Sequence, residues 1–177
     1  MKRELFVHFA FWLSFFVLIS ILRNYLSFAY WPFWVGGLIG TALPDIDHLI
    51  YVFFLNPQEL TSQRVNFLLK KRGILRIIAL LYETRGERKN LVFHTFFFQI
   101  IFLILTFFIV SSSASLLVRG IVLAFSLHLS TDQLADILDL KNLNGWGLLL
   151  SSELDYRKSI LYFSVLLFLL LLMGFLM

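Results

Sequence analysis

Five apolar runs divide the chain, and the segments between them are short except in one place. The runs cover residues 5–22, 28–43, 91–110, 114–129 and 160–177, the first interrupted only by the polar ring of His8. A helix needs about 20 residues to cross the ~30 Å hydrocarbon core of a bilayer, and most of these runs come close to that length. They lack the alternating polarity of half-buried strands, so the pattern predicts helices that are apolar nearly all round. The fold class that follows is all-α: an integral membrane helical bundle of about five transmembrane helices forming one membrane-embedded domain over residues 1–177.

The second run carries Gly36, Gly37 and Gly40, and the Gly36/Gly40 spacing predicts a close contact with another helix. Pro44 suits the first turn of a new helix, so the reading places a break there, with apolar chain resuming at Leu49. Residues 56–90 have a different character. Eight basic residues (Arg64, Lys70, Lys71, Arg72, Arg76, Arg85, Arg88, Lys89) and three acids surround an apolar set that includes Val65, Leu68, Ile74, Leu75, Ile77 and Ile78. This predicts an interfacial amphipathic helix or helix pair drawn to anionic lipid headgroups. Residues 131–158 are polar enough to leave the membrane, with Trp146-Gly147-Leu148-Leu149-Leu150 touching it. The basic start has the outline of a signal peptide, yet no small-x-small cleavage site follows in Arg23-Asn24-Tyr25-Leu26-Ser27, so the segment is expected to stay attached.

Composition strengthens this picture. Hydrophobic residues make up 59% of 177 and charged residues 15%, far more apolar surface than a core of this size can bury in water. With no cysteine, disulfides, thiolate metal sites and thiol nucleophiles are excluded together. The formal charge of +4 resides mainly in one loop and at helix ends, which fits topology and gives no reason to expect nucleic acid. Lys and Arg gather at the N-terminus and in residues 56–90, so both are expected on the cytoplasmic side and the C-terminus outside.

The candidate chemistry begins at Leu43-Pro44-Asp45-Ile46-Asp47-His48, where two carboxylates and an imidazole follow an apolar run. Ionisable groups at membrane depth are rare and mark functional sites by default. With five crossings, His8 at the start of the first helix, Asp45, Asp47 and His48 at the end of the second, His94 at the start of the third and His128 at the end of the fourth all fall on one side of the membrane. Inverting the bundle leaves that clustering intact. His128 and Asp132 are four apart on one helix face, with Asp136 and Asp139 one and two turns further. Asp45 and His48 share a face if the Pro44 turn is helical, while Asp47 points elsewhere unless the break turns it inward.

Mixed His and Asp ligands without Cys suit zinc, manganese or iron and are poor for copper(I). Seven candidates suffice for one or two ions, and a pair about 3.5–4 Å apart fits phosphoester chemistry. Asp45 and Asp132 are the candidate catalytic groups, to orient a water or take its proton. Taken singly, each residue also has a structural reading: His8 as a helix-end histidine, Asp45 as part of a helix cap, Arg119 snorkelling to an interface, and Asp136 and Asp139 as a solvated helix face. Two other functions stay open, a metal-binding carrier or sensor without hydrolysis and a membrane scaffold. Polar residues confined to one end disfavour a path through the membrane.

The early His8, the Leu-Pro-Asp-Ile-Asp-His stretch, the helix-opening His94 and the His128-x-x-x-Asp132 pair together resemble the bacterial membrane-bound metal-dependent hydrolases, distant kin of zinc-dependent phospholipase C and related single-strand nucleases. The resemblance extends from His8 to about Leu150. It implies that His8, Asp45, Asp47, His48, His94, His128 and Asp132 are metal ligands or their immediate neighbours, with zinc the first expectation. It further implies an inner-membrane enzyme that cleaves a phosphoester or similar bond of a lipid or lipid-linked substrate at the cytoplasmic face, with membrane lipids as partners. One departure stands out: where the family motif reads His-Arg-Gly-x-Thr-His-Ser, this chain has Lys89-Asn90-Leu91-Val92-Phe93-His94-Thr95, so Lys89 replaces one expected histidine.

Overall fold

The computed structural model describes residues 2–84, 88, 91–113, 115–147 and 154–177, with side chains from Phe6 onward. Among these residues every regular element is helical: α1 (Lys2–Leu22), α2 (Trp31–Ala42), α3 (Ile46–Ile50), α4 (Leu60–Lys70), α5 (Ile74–Glu83), α6 (Phe96–Ser112), α7 (Leu116–Leu140) and α8 (Tyr156–Leu176). A π-helical turn at Tyr51–Leu55 extends α3, and short 3-10 turns occur at Phe28–Tyr30 and Asn144–Trp146. Among the described residues, three helical stretches are long and apolar enough to cross a membrane: Phe28–Leu55, Leu116–Leu140 and Tyr156–Leu176. Phe6–Leu22 and Phe96–Ser112 are shorter apolar helices. Phe6, Leu38, Ile104, Phe108 and Phe168 are each more than half exposed, an apolar exterior that suits lipid and not water.

Two boundaries differ from the sequence expectation, and each has a local cause. The helix breaks at Pro44 as expected, α2 ending at Ala42 and α3 starting at Ile46, but the apolar helical stretch carries on past the break to Leu55. Proline removes only its own N–H, and the chain bridges the gap with i→i+3 bonds from Ile46 N to the Leu43 carbonyl (3.1 Å), Asp47 N to Pro44 (3.0 Å) and His48 N to Asp45 (3.1 Å). Leu43 and Asp45 keep right-handed helical dihedrals, so the break between α2 and α3 is one tightened turn and the chain continues along the helical path. The fourth stretch runs to Leu140, well beyond residue 129. Its polar side chains do not need water, because the Ser130 hydroxyl donates to the Ser126 carbonyl (2.8 Å) and the Thr131 hydroxyl to Leu127 (2.9 Å). Ser130, Thr131, Asp132 and Gln133 are all buried.

Helix α7 is central and packs against α1, α2, α6 and α8. Its closest neighbour is α2. A Cβ at Gly36 would collide with the Leu117 carbonyl, one at Gly40 with the Ile121 carbonyl, and one at Gly120 with the Phe33 carbonyl. Small residues thus let backbone meet backbone, the contact predicted by the Gly36/Gly40 spacing. The contacts advance in step along both helices, so α2 and α7 run parallel and their polar ends, Asp45 to His48 and His128 to Asp132, arrive together. Gly37 faces Trp12 and Phe16 of α1, and Phe16 stacks on Phe33 with centroids 4.5 Å apart.

Within residues 56–90, α4 and α5 form a packed pair, as the amphipathic pattern predicts. Val65 and Ile77 are buried against Tyr51 and Val52. The pair leaves Phe67, Ile74 and Leu75 exposed.

Candidate metal centre

Asp132 lies at the middle of the site, its side chain 5% exposed. Three separate segments bring an imidazole to it. One turn earlier on α7, His128 places Nε2 3.2 Å from Oδ2; α1 places His8 Nε2 3.3 Å from Oδ1; and the segment just ahead of α6 places His94 Nε2 3.1 Å from Oδ2. The His8 and His128 rings lie side by side, centroids 4.4 Å apart. Nitrogens of His8 and His128 and an oxygen of Asp132 all fall within 4.8 Å of one another.

Asp47 is fully buried, because the tightened turn after Pro44 rotates it inward. Its carboxylate accepts the backbone N–H groups of Val92 (3.0 Å), Phe93 (2.6 Å) and His94 (3.3 Å), and its Oδ2 lies 3.0 Å from His94 Nδ1. Asp47 therefore secures the segment that leads into α6, whose first turn is capped by the Thr95 hydroxyl. His94 is held at both ring nitrogens by carboxylates. Trp146 lies against the ring, centroids 5.5 Å apart, and its indole N–H donates to Asp136 (2.7 Å).

Asp45 stands at the edge, its side chain 62% exposed and 3.8 Å from His128 Nε2. His48 stacks on His94 at 5.6 Å and accepts a hydrogen bond at Nδ1 from Arg88 Nε (3.1 Å). All seven sequence-predicted residues thus lie in one neighbourhood, in different positions: His8, His128 and Asp132 converge on one point, His94 and Asp47 stand behind Asp132, and Asp45 and His48 flank it. Asp136 is half-buried under Trp146 and Asp139 is exposed. Lys89 lies outside the described residues, as do Leu148, Leu149 and Leu150.

Arg88 and Trp146 were not singled out as site residues by their sequence. Arg88 is one of eight basic residues in its segment, and Trp146 reads as a membrane contact; neither carries a local motif.

A cavity of about 460 Å³ adjoins the centre, between α1, α2, α3, α5 and α7. Its polar end is formed by His8, Asp45, His48, His128 and Asp132, and its walls by Phe9, Trp12, Leu38, Leu49, Ile78 and Leu81. Two imidazole nitrogens and one carboxylate oxygen beside a cavity match the donor set of catalytic divalent metal sites, which use three protein ligands and keep a position open. The residues present therefore fit one divalent cation.

Comparison with protein-family models, with curated proteins and with solved structures returned no match.

Proposed function

We propose that the protein is a membrane-embedded, metal-dependent hydrolase that cleaves a phosphoester in the head of an amphiphilic, lipid-type substrate at the cytoplasmic face of the inner membrane. The observation that carries this reading is the junction of a two-histidine, one-aspartate donor set with a cavity walled by aromatic and aliphatic side chains. A polar end that recognises a head and apolar walls that receive hydrocarbon match an amphiphile better than a soluble metabolite.

His8, His128 and Asp132 would hold the cation, with zinc the first expectation. Bound there, a divalent cation supplies Lewis acidity and activation of water at neutral pH. The chain's own groups do the rest. His94, fixed by Asp47, holds the Asp132 carboxylate in one orientation, as outer-shell partners of a ligand do. Asp45, partly exposed beside His128, accepts a proton from the water whose oxygen attacks phosphorus. The bond from phosphorus to the leaving alkoxide breaks, and that proton is delivered to the leaving oxygen. Phe9, Trp12, Leu38 and Leu49 exclude bulk water from the reacting head. Helices α4 and α5 then lie on the cytoplasmic surface, their exposed Phe67, Ile74 and Leu75 against the bilayer and the C-terminus of α8 on the far side.

Metal content of the detergent-purified protein tests the centre. Roughly one ion per chain is expected in the wild type, falling at least about tenfold in Asp132→Ala and His128→Ala. A folded wild type without stoichiometric metal would remove the hydrolase reading. Headgroup release from phosphatidylethanolamine and phosphatidylglycerol vesicles then tests activity, and bound metal without release from any phosphodiester would favour a carrier or sensor. Cysteines introduced into α4 are expected to react only with reagent on the cytoplasmic side.

A further inference from the structure

Among the described residues, the cavity beside the candidate centre is closed at one end and open along one side. Helices α1 and α2 make contact through Trp12 and Phe16 against Gly37, and through Phe16 against Phe33. From there toward the polar end the same two helices line the cavity, with Phe9, Leu38 and Thr41. Trp12, only 6% exposed, stands at the closed end. Phe9, Leu38 and Leu49 also line the cavity, yet they are 52%, 53% and 40% exposed, so the opening runs along them. All three belong to the apolar helical stretches Phe6–Leu22 and Phe28–Leu55, and a bilayer around those helices puts hydrocarbon at the opening.

Water is a poor occupant of the α1 and α2 side. A buried water needs about two to four polar partners. The Thr41 hydroxyl donates its hydrogen to the Gly37 carbonyl (2.9 Å), and the indole nitrogen of Trp12 is buried against Gly37. An apolar void left empty forfeits the dispersion contacts of its lining. A hydrocarbon chain fills the space and needs no partner. Its transfer from the bilayer is close to neutral, because lipid tails are as apolar as these walls, so the polar end decides which molecule stays.

Size and depth narrow the occupant. A volume of about 460 Å³ suits one drug-sized ligand and cannot enclose a two-chain phospholipid, so most of such a molecule must remain outside. Leu38 precedes Asp45 by seven residues, about 10 Å along the helical path. A head held at the polar end therefore has the start of its chain alongside the opening.

We propose that the cavity is entered sideways from the bilayer, past Phe9 of α1 and Leu38 of α2, by one acyl chain of a membrane phospholipid whose second chain stays among the surrounding lipids. The proposal deepens the hydrolase reading above and rests on it for the bond that is cleaved, whereas the position of the chain is tested without turnover. Trp12 sets the depth the chain reaches, and Ala42, on the same wall, limits its width.

Trp12 can report the chain directly. The chain has four tryptophans, and Trp31→Phe, Trp34→Phe and Trp146→Phe together leave Trp12 as the sole emitter. This variant is reconstituted in phosphatidylethanolamine and phosphatidylglycerol vesicles with or without bromine on the acyl chains, bromine quenching tryptophan at close range. Ala42 lines the cavity and is itself exposed, so Ala42→Phe fills space there and displaces no packed side chain. Strong quenching of Trp12 by brominated chains is expected, and Ala42→Phe in the same background is expected to remove most of it. Unquenched Trp12, or equal quenching with and without Ala42→Phe, would overturn the proposal.

Should the single-tryptophan chain fail to fold, photocrosslinking of the wild type to phosphatidylethanolamine carrying a diazirine on its chain decides. Adducts on Trp12 and Thr41 are expected, and their loss in Ala42→Phe. Adducts confined to outward residues such as Phe108 and Phe168 would overturn the proposal. Where phosphatidylethanolamine vesicles are hydrolysed, Ala42→Phe is expected to lose that activity, and undiminished hydrolysis would also overturn it. Vesicles that are never hydrolysed would remove the hydrolase reading, while quenching and adducts still decide where the chain lies.

Discussion

Toward α2, residues 117–121 of α7 meet their neighbour through a small residue and bare backbone, whereas residues 128–136 present polar side-chain atoms to other elements, with Leu123, Phe125, Leu129 and Ile137 filling the apolar core along both halves. The first half is seated against Gly36 and Gly40 of α2, with Gly120 lying against the Phe33 carbonyl in return. The second half carries His128, Asp132, Gln133 and Asp136, each facing a group from another element or turn. The same division runs along α2 and its continuation, from glycines to Asp45, Asp47 and His48. The seat decides where the helices lie along one another, and the polar half inherits that register. Asp45 comes within 3.8 Å of His128 because, one to two turns earlier, Gly40 fits against Ile121. The halves should therefore fail differently, the seat when an atom is added and the site when a partner is removed.

The largest effect should come from Gly40→Leu. The colliding atom is the backbone carbonyl of Ile121, which no rotamer change can move, so α2 and α7 must separate and lose packing along their length. A destabilisation of about 3 kcal/mol or more is expected, the upper range for overpacking a rigid interior. Thermal unfolding in detergent measures it, and metal content should fall with it although no ligand has been touched. Unfolding at the wild-type temperature would mean that the helix contact is looser than the glycines imply.

That seat was half legible in the sequence. The Gly36/Gly40 spacing announces a close contact but not its partner, since Gly120 stands alone on α7. The grouping of polar residues was more legible, because a membrane span has only two ends and counting spans assigns each histidine to one of them. Asp47 was not legible in this way. Its carboxylate is used by the backbone N–H groups of residues 92–94, and backbone donors leave no trace in residue identity. The length of α7 was hidden for a related reason: Ser130 and Thr131 read as polar, yet they satisfy themselves on their own helix. Arg88 looks like its basic neighbours, and only packing shows which of them turns inward.

A middle-sized effect should come from the polar half at Gln99 and Gln133, which exchange hydrogen bonds at 3.2 and 2.7 Å while the Tyr162 hydroxyl donates to Gln99 Oε1 (2.7 Å). Gln99→Leu strands two buried polar groups at once, at about 1–2 kcal/mol. Adding Gln133→Leu and Tyr162→Phe removes the stranded groups, so the triple variant should unfold closer to the wild type than the single one. This recovery would be impossible at the seat, where the fault is an excess of atoms. A triple variant less stable than Gln99→Leu would show that shape, and not polar satisfaction, governs this half too.

The smallest effect, and the one that separates the two roles of Trp146, should come from Trp146→Phe. The indole N–H donates to Asp136 and its rings lie against His94. Phenylalanine keeps an aromatic face for His94 and removes only the donor. Asp136 is half-buried and can recover water, so the loss should be about 0.5–1 kcal/mol, below the ~1.5–3 kcal/mol of a hydrogen bond to a charged group that cannot be rehydrated. Metal content should stay within about twofold of wild type, because His94 still has both carboxylates and an aromatic ring against it. Trp146→Ala removes the ring as well, leaves a cavity next to His94, and should lower both the unfolding temperature and metal content. If Phe and Ala lower metal content equally, the hydrogen bond to Asp136 is what holds the back of the site, and the polar half of α7 supports the centre from one turn beyond Asp132.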